Sequence, residues 1–168
     1  MQRSTLKTHA LLVLFSLFGF VANAQIAYGT PPVELLPEKL KGLRNVIEVA
    51  HFPKECHPIK IDDLYYWKHT TSILSKESEI EIVDYGAYIY YNDQWNLRRS
   101  YPLNELDTTF GTQNQKMNQA EPYTWPKNYR VGDALFGGWA LWYFIGTTPN
   151  GETVCGYETI NTTNTILN

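Results

Sequence analysis

The feature that most constrains the fold is a continuous apolar run, LFGGWALWYFIG, at residues 135–146. It is followed by TTPNGET, in which Asn150-Gly151 favours a tight turn, and then by VCGYETI. A short run that is apolar on both faces is typical of a central strand covered on both sides. The pattern therefore predicts a β-hairpin at the centre of a sheet.

Further strand signals precede this hairpin. Residues 64–74, LYYWKHTTSIL, are rich in aromatic and β-branched side chains, which favour strands. In EIEIVDYGAYIYYN, at 79–92, the apolar positions are first the even-numbered Ile80 and Ile82 and then odd-numbered ones. Because neighbouring strand residues point to opposite faces, this change of phase predicts a bulge or bend near 84–86.

The segment SYPLNELDTTFG, at 100–111, has a helical pattern instead. Pro102 falls in the first turn and Gly111 in the stop position. Apolar residues recur between them at helical spacing: Leu103, Leu106 and Phe110. We therefore predict a short helix here. The polar residues that follow, 112–130, are predicted to form a long loop.

The fold class that these signals predict is mainly β, in the α+β class. The expected architecture is an antiparallel β-sandwich or a half-open barrel with one or two short helices. Residues 45–168 are expected to form a single β-rich domain. Residues 25–44, which include TPPVELLPEKLKGLRN, are expected to form an N-terminal arm with a possible short helix.

The first 24 residues have the layout of a cleavable secretory signal peptide. Basic residues precede a mainly apolar stretch, and Ala-Asn-Ala at 22–24 matches the small residues that a signal peptidase reads. The apolar stretch is short for a membrane span, which takes roughly 20 residues. The sequence therefore predicts an exported protein, periplasmic or extracellular, with no membrane span after cleavage.

The chain has two cysteines, Cys56 and Cys155. In an oxidising compartment paired cysteines usually bond, and two cysteines allow one connectivity. We therefore expect a Cys56–Cys155 disulfide that staples the segment HFPKECHPIK, at 51–60, to the last hairpin.

The same segment offers an alternative, a metal site. His51, His57 and His69, with Cys56 or the carboxylates that follow, are ligand types for zinc or copper. Against this, Cys56 and His57 are adjacent, and neighbouring strand side chains point to opposite faces. Neither an H-x-H nor an H-E-x-x-H pattern occurs. The favoured interpretation places these histidines in surface or loop positions, and no cofactor is expected.

Aromatic residues make up 14% of the chain and suggest a binding surface. Aligned tyrosine and tryptophan rings on a sheet can stack on sugars or grip a protein partner. The candidates for this surface are Tyr88, Tyr90, Trp95, Tyr123 and Trp125. The alternative is that a small β domain fills its core with large rings. Arg98-Arg99 beside this sheet could add cation–π contacts or clamp a phosphate or carboxylate.

Charge excludes some classes of partner. The chain carries 14 Lys+Arg against 17 Asp+Glu, a net charge of −3. It therefore lacks the excess of positive charge that binds the phosphates of nucleic acid. No nucleophile-elbow or phosphate-loop motif favours catalysis. The sequence thus predicts an exported, non-catalytic binding module for a protein, peptide or glycan. The alternative is a metal-binding protein or enzyme that uses the region of His51, His57 and His69.

Overall fold

The structure, a computed structural model, describes residues 29–167, so the predicted signal peptide at 1–24 lies outside the described residues. Within that range the chain forms one 3₁₀ turn (Glu38–Leu40), one α-helix and thirteen strands. Their bounds are β1 Arg44–Asn45, β2 Ile47–Phe52, β3 Glu55–Cys56, β4 Ile59–Ile61, β5 Leu64–Trp67, β6 Thr70–Ser75, β7 Ile80–Tyr91, β8 Gln94–Ser100, α1 Asn104–Phe110, β9 Lys116–Met117, β10 Pro122–Trp125, β11 Arg130–Gly132, β12 Gly138–Thr147 and β13 Thr153–Thr162.

One large sheet, which we call the main sheet, organises the fold. Its strand order is β1-β13-β12-β7-β8, with β3 added to β13 and β9 added to β7. The predicted hairpin is confirmed, since β12 and β13 pair antiparallel and β12 lies in the middle of the sheet. The sheet is mixed and not purely antiparallel, because β1 and β3 run parallel to β13.

Strand β7 changes face at a bulge. Its pairing with β12 steps from Asp84 to Ile82, which leaves Val83 without a partner. Even-numbered residues before the bulge and odd-numbered ones after it therefore enter one core: Ile80, Ile82, Tyr85 and Ala87. The bend predicted from the sequence is confirmed, with the extra residue one position ahead of 84–86.

Two three-stranded sheets complete the β structure, one ordered β10-β6-β2 and the other β11-β5-β4. The first packs with α1 against what we call the front face of the main sheet, and their side chains form the larger core. At Gly156 the layers touch, because a Cβ there would overlap the carbonyl oxygen of Ile47. Over residues 29–167 the fold is mainly β and sandwich-like, and its sheets are not closed into a barrel.

The opposite side of the main sheet, the back face, is covered by the N-terminal segment. Leu40 is buried there, and further leucines of the segment pack on the same cluster. The cluster also contains Tyr88, Leu141, Tyr143 and Cys155. The helix considered for 25–44 is reduced to the single 3₁₀ turn, since Pro37 ends any earlier helical turn and Gly42 adopts a positive φ of 75°.

The predicted helix at 100–111 is confirmed as α1, and Gly111 ends it in a left-handed conformation with φ 85°. The prediction of a loop over 112–130 is wrong in part. Strands β9 and β10 lie inside it, and β10 pairs with β6 in the sheet over the core. Among residues 29–167, no helix combines the length and the apolar character needed to cross a membrane.

The predicted Cys56–Cys155 disulfide is wrong, because both thiols are free and buried. Cys56 lies opposite Thr162 at the end of β13, whereas Cys155 lies near the start of that strand. Strand geometry separates these positions by roughly 20 Å, far more than the roughly 4–7 Å between bonded Cα atoms. The two residues also belong to different cores, Cys56 to the front one and Cys155 to the back one.

Candidate functional site

A cleft of about 880 Å³ opens on the front face of the main sheet. One wall comes from β7, β8, β12 and β13, and the other from the segment between β10 and β12, at 128–136. This volume lies within the roughly 300–1,000 Å³ that is typical of ligand sites. The cleft is the candidate functional site.

The floor of the cleft is apolar because of the register of the sheet. Ala140 of β12 lies directly opposite Ile89 of β7, and Trp142 lies opposite Ala87. Directly opposite residues in an antiparallel pair share a face, so all four point to the front. Ile160 of β13 extends this row, since it pairs with Ala140. The strands themselves therefore fix an apolar floor.

A second bulge brings two arginines to the rim. The pairing of β8 with β7 steps from Arg99 to Leu97, which leaves Arg98 as the extra residue. Bulges re-aim side chains that a regular strand would send to opposite faces. Arg98 and Arg99 accordingly both line the cleft. The guanidinium of Arg99 lies 4.4 Å from the ring centre of Tyr101, a cation–π contact.

A third arginine comes from the opposite wall. Arg130 of β11 lies over the ring of Trp67, at 4.9 Å from its centre, and donates a hydrogen bond to the hydroxyl of Thr162. These contacts hold the guanidinium in place. The residues that line the cleft thus include three arginines and one carboxylate, Asp133. The side chains that line the cleft therefore carry more positive than negative charge in a chain whose net charge is −3, and one of the cations, Arg99, lies 3.9 Å from a carboxylate oxygen of Glu105.

Two buried histidines lie beneath the wall of the cleft that carries Arg130. His51 Nδ1 lies 2.9 Å from the hydroxyl of Thr71, and its Nε2 lies 3.3 Å from the carbonyl oxygen of Glu158. A carbonyl only accepts, so Nε2 carries the proton and Nδ1 accepts from Thr71. The Thr71 oxygen accepts in turn from the Asn128 amide at 2.7 Å. Burial lowers the pKa of His51 to about 4, and repulsion from a protonated His69 acts in the same direction.

His69 packs edge-on against His51, with ring centres 5.9 Å apart. Its Nδ1 lies 3.2 Å from the carbonyl oxygen of Trp67, so Nδ1 is the protonated nitrogen. Its Nε2 is buried and has no hydrogen-bond partner in the described chain. Burial lowers the pKa of this imidazole too. His69 lines the cleft with a neutral ring whose Nε2 lone pair is unsatisfied.

The structure brings together two of the three histidines considered as metal ligands. His51 and His69 are neighbours, whereas His57 is held at another site. His57 bonds to the hydroxyl of Thr163 at 2.8 Å and lies 3.4 Å from a carboxylate oxygen of Glu55. Within residues 29–167, no group of three His, Cys, Asp or Glu residues is arranged to hold a metal ion.

The five candidate aromatic residues fall into two clusters on opposite faces of the main sheet. On the back face, Tyr88 and Tyr90 are 8% and 3% exposed, and the ring of Trp95 lies 5.2 Å from that of Tyr90. On the front face, Tyr123 is buried and Trp125 packs beside it in the larger core. They fill cores and form no common exposed surface.

Different aromatic side chains line the cleft: Tyr91, Tyr101, Tyr129, Phe136 and Trp142. Sequence reasoning did not single out this set, because its members come from five separate stretches of the chain. The adjacent pair Arg98-Arg99 was the sequence signal nearest to the site. No protein-family model matches the chain, and no curated protein sequence matches it. The function is therefore inferred from the cleft itself.

Proposed function

We propose that this protein is a non-catalytic binding module that holds, in its front-face cleft, an anionic ligand with an apolar portion. The observation that carries the proposal is the placement of three guanidinium groups around an apolar floor. Arginine is suited to this role because its planar fork of donors matches carboxylate and phosphate oxygens. Apolar walls with a few convergent polar groups are typical of ligand sites.

The charge distribution supports an anionic ligand. A chain with a net charge of −3 repels anions on average, yet the residues that line this cleft include three arginines and only one acidic side chain. Clefts lined by one sign of charge concentrate ligands of the opposite sign. Aromatic contacts hold two of these cations, Arg99 over Tyr101 and Arg130 over Trp67. The ligand therefore meets guanidinium groups that are already positioned.

The experiment compares two fluorescent probes that differ in charge. 1-Anilinonaphthalene-8-sulfonate is an apolar anion, and N-phenyl-1-naphthylamine is its neutral analogue. We expect the anion to bind the native protein with a saturable signal. The double variant Arg98→Ala/Arg99→Ala should bind the anion about tenfold more weakly while its affinity for the neutral probe changes little.

Lys76→Ala is the matched control, because Lys76 is an exposed cation outside the cleft. It should leave both affinities unchanged. Circular dichroism should show that the double variant keeps its fold, as expected for two exposed side chains on an edge strand. Equal weakening of the two probes, or no weakening of the anion, would contradict the proposal.

Export is the second part of the proposal, and the leader-like pattern of residues 1–24 supports it. When the full chain is expressed in a Gram-negative bacterium, the protein recovered from the periplasm or medium should begin at Gln25. N-terminal sequencing measures this directly. Recovery of the uncleaved chain in the cytosol alone would contradict export and would leave the binding proposal standing.

A further inference from the structure

The cleft is bordered by two strands that each lie at the edge of a sheet. β8 is the terminal strand of the main sheet, and β11 is the terminal strand of the sheet β11-β5-β4. Both line the cleft through consecutive residues, 96–99 of β8 and 130–132 of β11. Side chains alternate between the two sides of a strand, so an unbroken run of residues reaches a cleft partly through its backbone. The cleft therefore exposes strand backbone as well as side chains.

The register of β8 shows which of its backbone groups are unpaired. β8 follows a two-residue turn at 92–93, and the pairs beside such a turn alternate, starting with the hydrogen-bonded pair of Tyr91 and Gln94. Trp95 and Leu97 fall at the non-hydrogen-bonded positions, so their backbone N–H and C=O groups point away from β7. Within the part of the chain that the structure describes, no other backbone group bonds to them.

Leu97 brings this unpaired backbone to the cleft. It pairs with Tyr88, whose ring lies in the back-face core, and directly opposite residues share a face. The side chain of Leu97 therefore points to the back face, and its backbone is the part that borders the cleft. An unpaired N–H and C=O on a strand edge are the groups with which another extended chain pairs.

We infer that the ligand of the cleft is an extended acidic peptide segment, which pairs with the outer edge of β8 over 94–97 and places acidic side chains against Arg98 and Arg99. The inference rests on the proposed function and adds the ligand class. A small anion offers no row of donors and acceptors to pair with this edge, whereas an extended peptide does. The arginines select its charge, because like charges on neighbouring strands repel and opposite charges attract.

Arg98 and Arg99 determine where the acidic side chains lie. The bulge at Arg98 interrupts the regular pairing of β8, so an added strand runs along 94–97 and ends near the two guanidinium groups. The Arg98 side chain is exposed and has neither an ion-pair nor a hydrogen-bond partner among the described residues. Arg99 lies 3.9 Å from Glu105, and an exposed pair at this distance is weak enough for a ligand carboxylate to compete.

The experiment compares peptides that differ in one feature at a time. N-acetyl-TVEVEVT-amide has two carboxylates, and its valines favour an extended chain and supply the apolar portion. N-acetyl-TVEPEVT-amide keeps both charges, but its proline removes an N–H and disfavours strand pairing. N-acetyl-TVQVQVT-amide keeps the backbone and removes the charges. In NMR titrations of the native protein, the acidic valine peptide should bind about tenfold or more tightly than either of the others.

Hydrogen exchange identifies the strand edge that pairs. The amide protons of Trp95 and Leu97 should exchange rapidly in the free protein and at least about tenfold more slowly when the acidic valine peptide is saturating. The amide of Asn96 is the control, because it points to β7 and should exchange slowly in both states.

Two substitutions at one position test the same edge from the protein side. Leu97→Pro removes the outward N–H without removing a bond to β7, and proline is tolerated at such edge positions. It should abolish the preference for the valine peptide and keep the affinity for 1-anilinonaphthalene-8-sulfonate. Leu97→Ala shortens the side chain on the back face, keeps the N–H and should retain the preference. If Leu97→Pro does not fold, the peptide affinities and exchange rates of the native protein still decide.

The outcomes separate this inference from the proposed function. If the sulfonate probe binds through the arginines but the valine and proline peptides bind equally, or neither binds at about 1 mM, the inference is overturned and the proposed function survives. Unchanged exchange at Leu97 with the peptide bound also overturns it. So does dimerisation that is lost in Leu97→Pro and kept in Leu97→Ala, since a second copy of the chain would then occupy the edge. If the sulfonate probe does not depend on the arginines, the proposed function itself fails.

Discussion

Lys39 and Asp84 form an ion pair on the back face of the main sheet, with Nζ and Oδ2 2.7 Å apart. Lys39 also donates to the hydroxyl of the buried Tyr143 at 3.0 Å, and that hydroxyl donates to Asp84 at 3.0 Å. Burial opposes the charged form of Lys39, but these hydrogen bonds outweigh it and raise its pKa. Because Asp84 adjoins the β7 bulge at Val83, the pair ties the N-terminal segment to the bend.

Lys39→Met should lower the free energy of unfolding by about 1 kcal/mol, as measured by urea denaturation. The variant leaves the Asp84 carboxylate and the Tyr143 hydroxyl without their shared cationic donor. Lys41→Met is the control, since Lys41 pairs with Glu38 at the exposed surface. Exposed pairs contribute little, so this control should change stability by less than about 0.5 kcal/mol. If the two substitutions lowered the free energy of unfolding equally, the Lys39–Asp84 pair would not be what holds the N-terminal segment against the bulge.

Gly86→Ala should destabilise the protein by about 3 kcal/mol or more. A Cβ at position 86 would overlap the carbonyl oxygen of Arg99 on β8 and would lie 3.0 Å from the hydroxyl of Tyr143. One contact is with backbone, so the strand itself must shift. Gly29→Ala is the control, because the nearest atom to its added Cβ is a ring carbon of Tyr90 at an ordinary 3.7 Å. Thermal and urea unfolding measure the stability of both variants. If Gly86→Ala had almost no effect on stability, strand β8 would be able to move away from the added Cβ.

The sequence predicts the parts of the fold that depend on neighbouring residues. The apolar run at 135–146, the helical spacing before Gly111 and the change of phase after Ile82 are local patterns, and each corresponds to an element of the structure. Strands β9 and β10 were missed because two and four residues give too short a pattern, and Pro122 begins the second.

The cleft could not be predicted from local sequence patterns, because it is assembled from segments that are distant in the chain. Arg98 and Arg99 are visible as a pair, but their common orientation depends on a bulge that pairing with β7 creates. The unsatisfied nitrogen of His69 depends on the Trp67 carbonyl that occupies the other nitrogen. The disulfide was predicted from compartment and count alone, whereas the sheet places Cys56 and Cys155 on opposite faces.

The two free thiols should be unreactive in the folded protein. Burial raises the pKa of Cys56 to about 11 and raises that of Cys155 as well. At pH 8 a thiol with a pKa near 11 is roughly one part in a thousand thiolate, and the thiolate is the reactive form. Iodoacetamide should leave the native protein unmodified and should add two groups after denaturation without reductant, as read by intact mass. Failure to alkylate the denatured, unreduced protein would show that the cysteines are bonded after all.

The neutral histidine pair should make the protein less stable in acid. An unfolded histidine titrates near pH 6.5, whereas in the folded protein the pKa of His51 is about 4. Between these values the unfolded chain binds a proton that the folded protein does not, so acidification favours unfolding. The lowered pKa of His69 acts in the same direction. Stability should therefore be fully present above about pH 6.5 and should fall by up to about 3 kcal/mol by pH 4 on account of His51.

Carboxylates also titrate in acid, so the measurement is a difference between two proteins. His51→Gln keeps hydrogen-bonding groups near Thr71 and Glu158 and does not titrate. Urea denaturation of both proteins from pH 7.5 to pH 4 gives two stability curves. The stability advantage of the native protein over the variant should be constant above pH 7 and should shrink by about 3 kcal/mol toward pH 4. Parallel curves over that range would mean that His51 takes up a proton as readily in the folded protein as in the unfolded chain, which would contradict its lowered pKa.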